Sequence, residues 1–365
     1  MEAIVHHLYF PKPDTMFFIH QTTCISPQQT FTDIDIDTLH PLIEGKMQAI
    51  ETVYAGIPPG MLRRMGKAVK MGVGTAMPLL QNNIPAGIIM GTANSGKEDC
   101  VKFMQQIVDY DEGLLTPMNF VQSTPNAIAA QIGLLTKNHG YNITHLHLGL
   151  AFEHAMIDAG MMIYENPLNS YLLGAVDDIS AINFNFEEKS GCYKKGLITN
   201  GNLYATNSAG SIAGEAATMF LVDGNQAGAI AKVLAVDTLH QEDEYIVAEK
   251  LQDFIDKHLP PGEKISLLLT GENGDNRLLK YYTSCEAAMD KDVTITRFKH
   301  MSGEYPTATA MGLWLSCEML QKQHIPVHMI KKDAGKNGFT NVLMYNTYKG
   351  MQHSFVLVAA VAGAS

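Results

Sequence analysis

The sequence predicts an α/β fold of five layers, αβαβα, built from two halves. Two observations carry this. Apolar strand-like runs alternate with helical segments along the chain, the pattern of a largely parallel sheet covered by helices. In addition, segments 150–164 and 307–321 are helical and apolar on nearly every side. A helix without a polar face must be covered all round, so both belong in a layer between two sheets. The helices of a simple doubly wound sheet keep a wet side, which points away from that fold.

In order, 16–20 reads as a short strand and 24–27, Cys-Ile-Ser-Pro, as the turn after it. Residues 33–37 alternate acidic and apolar side chains, a linker follows, and Pro58-Pro59-Gly60 is a strong breaker. A helix over 61–77 ends at Pro78, and a strand over 84–90 ends at Gly91. Segment 97–109 is helical, 117–124 a loop, and 126–136 a helix rich in Ala, Ile and Leu. The strand 142–148 meets the 150–164 helix at Gly149, where the period changes sharply. Ala151, Ala155, Ala159 and Gly160 let that helix lie close to its neighbours. Buried strands follow at 171–176, 216–222 and 229–238.

The second half alternates in the same way. Helices are expected over 247–258, 276–288 and 307–321, and strands over 265–269, 293–298, 342–345 and 355–358. The boundary between the halves is placed at 240, giving 1–240 with the dimerisation region and 241–365.

Composition narrows the function. Apolar residues make up 46 % of the 365 and charged residues 17 %, which fits a globular protein and excludes a disordered one. A formal charge of -11 argues against a nucleic-acid binder. The five cysteines are widely spaced without a CxxC, so neither a disulfide framework nor a Cys-rich zinc site is expected. No signal peptide and no membrane span are evident, and the expected location is the cytoplasm.

Several ordered segments resemble the β-ketoacyl synthase branch of the thiolase superfamily, across nearly the whole chain. They are TTCISP (22–27), MLRRMGKAVKMGVGTA (61–76), PMNFVQSTPNAIAAQIG (117–133) with Asn126 before its helix, and YNITHLHLGLAFEHAMIDA (141–159) as the nucleophile strand and elbow. YLLGAVDDIS (171–180), GEAATMFLV (214–222) and FKHMSGEYPTATAMG (298–312) continue the series. The resemblance implies the thiolase-like five-layer fold. It also implies a Cys nucleophile at the start of the first buried helix, where the helix N-terminus lowers a thiol pKa. Two His residues would stabilise the developing negative charge.

This chain departs from that pattern. The nucleophile position falls on Gly149, the first His on Thr270 and the second on Glu304, while the family's Lys persists as Lys299. The final Phe-Gly-Phe-Gly-Gly stretch is reduced to TYKGMQ, 347–352, with Gly350 retained. Condensation by the family mechanism is therefore expected to be lost. The chain resembles the chain-length-factor partners, which pair with an active synthase, and small synthase-like proteins of aryl-polyene pathways.

The remaining candidates are weighed against plainer roles. Paired carboxylates can split their pKa values into acid and base. Glu272 and Glu304, with Asp275 near, would do so if they shared a pocket; otherwise they form salt bridges, one of them to Lys299. His145 and His147 share a strand face, and His154 follows on the helix; they are ligands or bases, or they pack at an interface. GTANSGKE, 91–98, nearly matches a phosphate-binding loop but has Glu98 where a hydroxyl is needed. No cofactor and no metal are expected. The expected partners are an acyl carrier protein and an active ketosynthase, in a homo- or heterodimer. The alternatives are an enzyme on acyl thioesters using Glu272, Glu304 and His147, or a divergent 3-oxoacyl synthase.

Overall fold

The computed structural model describes residues 15–361, apart from 43, 44, 51, 114, 197, 336 and 337. The segment read for a leader and the small-residue end beyond 361 lie outside the described residues. The first series of elements is β1 (Phe17–Ile25), α1 (Pro59–Leu62), α2 (Lys67–Leu80), β2 (Gly87–Gly91), α3 (Lys97–Asp109), α4 (Pro117–Gln122), α5 (Ala127–Thr136), β3 (Tyr141–His145), α6 (Ala151–Glu165), β4 (Tyr171–Asp177), α7 (Ala181–Lys189) and β5 (Ala216–Asp223). The second is β6 (Ala231–His240), α8 (Glu244–His258), β7 (Leu267–Thr270), α9 (Leu279–Ala287), β8 (Thr294–Arg297), α10 (Lys299–Ser302), α11 (Thr309–Lys322), β9 (Ile330–Lys332), β10 (Asn341–Tyr348) and β11 (Gln352–Ala359).

The first series pairs in the order β3-β2-β4-β5-β1, parallel from β3 to β4 and antiparallel from there to β1. The second pairs as β8-β7-β10-β11-β6 with the same directions, and β9 is added at its outer edge. With β9 set aside, each order reads third, second, fourth, fifth, first. The two halves are therefore repeats of one topology, and β6 holds the place in the second that β1 holds in the first. They meet at a narrow antiparallel seam, Phe17 to Val233, Phe18 to Lys232 and Ile19 to Ala231, which joins the two expected sheets into one.

Three apolar clusters give the five layers. The central one packs Phe152 and Met156 of α6 and Leu313 and Trp314 of α11 against Leu173 and Phe220 on one side and Val356 and Val358 on the other. An outer cluster packs Val69 and Val73 of α2 and Ile128 and Ile132 of α5 against Ile88, Leu172 and Met219. The opposite outer cluster packs Val247 and Leu251 of α8 and Tyr282 of α9 against Leu268, Leu343 and Leu357. Neighbours such as Leu172 and Leu173, or Met219 and Phe220, point to opposite layers, as the pleat requires. Both faces of these strands are buried, which explains their continuous apolar runs.

The structure departs from the sequence reading at several elements. α11 is buried along Thr309–Leu320, as expected. α6 is not buried all round: Met161 and Tyr164 are exposed, and His154 and Asp158 are only partly covered. Pro78 does not stop α2; it lies in the last turn, where only one backbone bond is lost, and the helix runs on to Leu80. Residues 117–122 are helical rather than a loop, because Pro117 stands at the first helical position, where its fixed φ suits a helix. α7 was not foreseen; the Ser180 hydroxyl caps it by accepting from the Asn183 N–H at 3.3 Å. Among the described residues no helix is long and apolar enough to cross a membrane.

Candidate functional site

The elbow between β3 and α6 is built around Gly149. A single 3-10 turn, Leu148–Leu150, joins the two elements, and Leu148 takes a left-handed φ of 51°, uncommon for a non-glycine residue. The Gly149 N–H donates to Gln352 Oε1 at 3.0 Å, and Gln352 Nε2 donates to the His147 carbonyl at 3.4 Å. A Cβ on Gly149 would stand 2.2 Å from Tyr348 Cβ and 2.4 Å from Tyr348 Cγ. Tyr348, at the end of β10, therefore occupies the space that any side chain at position 149 would need.

Tyr348 also borders a cavity of about 370 Å³, within the range of small-molecule sites. The cavity lies where the parallel strands of both halves end. Asn94 follows β2, Asp178 follows β4, Asn273 and Asp275 follow β7, and Glu304 follows β8 and α10. Asn183, Phe184 and Glu187 of α7 and Lys349 of the β10–β11 turn complete much of the wall. Ligands in open α/β sheets bind at such carboxyl ends.

Glu304 is held there by close backbone approach. Its N–H donates to the Ile212 carbonyl at 2.7 Å, and its carbonyl accepts from the Gly214 N–H at 3.1 Å. A Cβ on Gly214 would lie 2.0 Å from the Ser302 carbonyl, so this pairing requires glycine. The Glu304 carboxylate accepts from Lys299 Nζ at 2.9 Å and from Asn273 Nδ2 at 2.7 Å. The Lys299 side chain is fully buried, so the ion pair fixes the carboxylate at the cavity edge.

The other charges divide into pairs with one left over. Arg277 clamps Asp275 through Nε and Nη2 at 2.6–3.2 Å. Burial would raise the Asp275 carboxyl, but the Arg277 bonds outweigh it and hold it below the usual carboxylate range. Lys349 bonds both oxygens of Glu187, at 3.0 and 2.8 Å. Asp178 has no such partner; burial, reinforced by the nearby Glu215, pushes its carboxyl up to about 7. Burial and the neighbouring Glu187 push the Cys192 thiol up to about 11, so this cavity cysteine is no thiolate at neutral pH.

The remaining predicted residues lie elsewhere. Glu272 does not share the cavity with Glu304: it turns to Arg297 at 3.1 Å and to Lys331, which also bonds Glu286. Thr270 is fully buried and its hydroxyl donates to the Thr296 carbonyl at 3.1 Å. His147 is exposed beside the elbow, its ring 4.7 Å from that of His154, while His145 bonds Asp158 at 2.9 Å. His300, which follows Lys299 and is not among the predicted site residues, is buried against Tyr204 and His328, at 3.1 and 2.8 Å, and burial pushes it down to about 3. The 91–98 loop offers no phosphate cradle. The N–H groups of Ala93 and Asn94 already donate to Asp177 Oδ1, at 3.0 and 2.8 Å. Among the described residues no group of three His, Cys, Asp or Glu is arranged to hold a metal ion.

Asp178 and Tyr348 were missed as site residues. The adjacent acids Asp177-Asp178 at the end of a fully apolar strand were the available signal, since two carboxylates there must find different partners. Asp177 finds its own in the loop after β2 and in the Thr307 hydroxyl at 2.8 Å, which leaves Asp178 facing the cavity.

No family model matches this sequence, and no curated protein does. Solved structures do. A β-ketoacyl synthase from Burkholderia phymatum STM815 is 12 % identical and superposes with a TM-score of 0.76, covering 95 % of this chain and 100 % of that one. The ketosynthase ApeO in complex with its chain length factor ApeC from Xenorhabdus doucetiae is 12 % identical with a TM-score of 0.72, over 95 % and 98 %. The ishigamide ketosynthase/chain length factor is 12 % identical with a TM-score of 0.72, over 94 % and 98 %. The repeated strand order, the central helix layer and these superpositions together give the chain the thiolase-like fold shared by β-ketoacyl synthases and the complexes they form with chain length factors.

Proposed function

We propose that this chain is a non-catalytic partner subunit of a β-ketoacyl synthase, in fatty-acid or polyketide-type (polyene) biosynthesis. The observation that carries the reading is Tyr348 packed against Gly149, which leaves position 149, where the resemblance puts the nucleophile, without a thiol and without room for one. The likeness to structures that include a chain length factor supports it. A divergent 3-oxoacyl synthase would need that thiol. The partners under this reading are an active ketosynthase and an acyl carrier protein; a ketosynthase of the same fold has been solved with its acyl carrier protein. The test is co-expression with a synthase that carries Cys-His-His, followed by labelling from a radiolabelled acyl carrier protein. Co-elution with label on the synthase alone is expected. Stoichiometric label on a cysteine of this chain overturns the reading.

The assembly is a dimer, homo- or heteromeric, through β3 and the open side of α6. β3 is the outer strand of the first half, and its free edge is a template for another strand. Tyr141, Leu146, Leu148, Met161 and Tyr164 are all exposed. On this reading the partner covers Met161 and Tyr164 of α6, which the chain alone leaves exposed. Two further parts of the reading are a cytoplasmic location and a division into two halves; the repeated strand order supports two halves and favours a boundary ahead of β6 over one at 240.

A second reading is favoured by one observation: Glu304 and Asp178 border the same cavity, and Asp178 titrates near neutrality, where acid–base groups work best. It makes the chain an enzyme on acyl thioesters. Thioester turnover by the purified chain, lost in Asp178→Asn, would support it over the first reading.

A further inference from the structure

We propose that the cavity binds a primary ammonium group, with the Asp178 carboxylate as its counter-ion, and rejects carboxylates. The inference goes beyond the partner-subunit reading and does not depend on it. Three of the four lining carboxylates are matched: Asp275 by Arg277, Glu187 by Lys349 and Glu304 by Lys299. Asp178 is the fourth. It is 9 % exposed, it borders the cavity, and no donor to its carboxylate is found among the described residues. Two cations act on it, Lys67 and Lys102, and both are bonded elsewhere, to Glu215 at 2.6 Å and to Glu98 at 2.7 Å. Glu215, Asp177 and Glu98, which also act on it, are acidic.

The second open group is also an acceptor. Asn183 donates through Nδ2 to the Asp178 carbonyl at 2.9 Å, while its Oδ1 is buried with no donor among the described residues. A ligand must therefore supply N–H groups and positive charge. An ammonium carries three donors and no acceptor, whereas a carboxylate would meet uncompensated negative charge in a partly desolvated site. Phe184, Tyr193 and Tyr348 give an apolar stem a surface to lie on.

The test is calorimetric titration of the full-length protein at pH 8 with phenethylammonium and with 3-phenylpropionate, which has a similar shape and the opposite charge. One-to-one binding of the amine and none of the acid are expected. Asp178→Asn is expected to weaken the amine by about tenfold or more, the loss of one charge-assisted contact. Lowering the pH from 8 to 6 is expected to weaken it by about tenfold in the wild type, as Asp178 takes up a proton, and not in the variant. Absence of amine binding at millimolar concentration overturns the proposal. So does acid binding as tight as the amine's, or amine binding unchanged in Asp178→Asn. The amine-to-acid comparison on the wild type decides even if the variant folds poorly.

Discussion

The side-chain position of Gly149 lies 2.2 Å from the Cβ of Tyr348, closer than any two packed carbons tolerate. A cysteine at 149 therefore has no room while Tyr348 stays in place. Gly149→Cys is expected to lose about 3 kcal/mol or more of stability through overpacking. Tyr348→Ala keeps the offending Cβ and rescues little, whereas Tyr348→Gly rescues much of the loss. Urea denaturation of the three double and single variants separates these outcomes; full stability of Gly149→Cys alone would contradict the packing.

The Lys299–Glu304 pair makes a second prediction. Glu304→Gln leaves a fully buried ammonium facing a neutral amide, at a cost of about 3–5 kcal/mol. Lys299→Met strands the carboxylate and costs a similar amount. Because the two residues share one interaction, Lys299→Met with Glu304→Gln should cost well under the sum, by chemical denaturation.

Asp178 sets a pH dependence whose sign is opposite to that of a salt-bridged acid. Its carboxyl rises from 3.8 to about 7 on folding, with burial as the main cause. The native state thus binds the proton more tightly than the unfolded chain. The stability linked to this proton is fully present below 3.8 and is lost as pH rises towards 7, up to about 4 kcal/mol over the window. Asp178→Asn should remove this slope and be more stable than wild type at pH 8, which unfolding curves between pH 4 and 8 will read.

The open edge of β3 makes a fourth prediction. The protein, alone or with a synthase, should sediment as a dimer, and Leu146→Glu should dissociate it while leaving the far-ultraviolet circular dichroism unchanged. Leu146 is half-exposed beside that edge, so a charge there is harmless to the isolated fold and costly only in a dry interface. A Leu146→Glu chain that remains dimeric would move the contact elsewhere.

The five layers were legible in the sequence because burial on both sides leaves a plain mark. β4 is an apolar run as far as Val176, residues 342–345 of β10 are another, and α11 is buried along Thr309–Leu320. α7 was illegible because none of its residues is buried, so it has no apolar periodicity to read. Gly149 stood out locally at the change of period. Its partner Gln352 is 203 residues away, and no local pattern reports a contact set by how β11 aligns with the elbow. The same limit explains Glu272. Its loop lies near that of Glu304, but Lys331 of the unforeseen β9 draws its carboxylate to the other side.

The repeated strand order has a consequence for how such a chain must be assembled. Each half contributes one central helix, α6 or α11, and a single sheet can roof only one side of it. A lone half would leave Phe152 or Trp314 wet, so the molecule behaves as two protomers fused by a tether, already paired through their most apolar surface. Cutting the chain between β5 and β6 should not yield two small domains. It should yield fragments that stay insoluble apart and recover structure only when mixed.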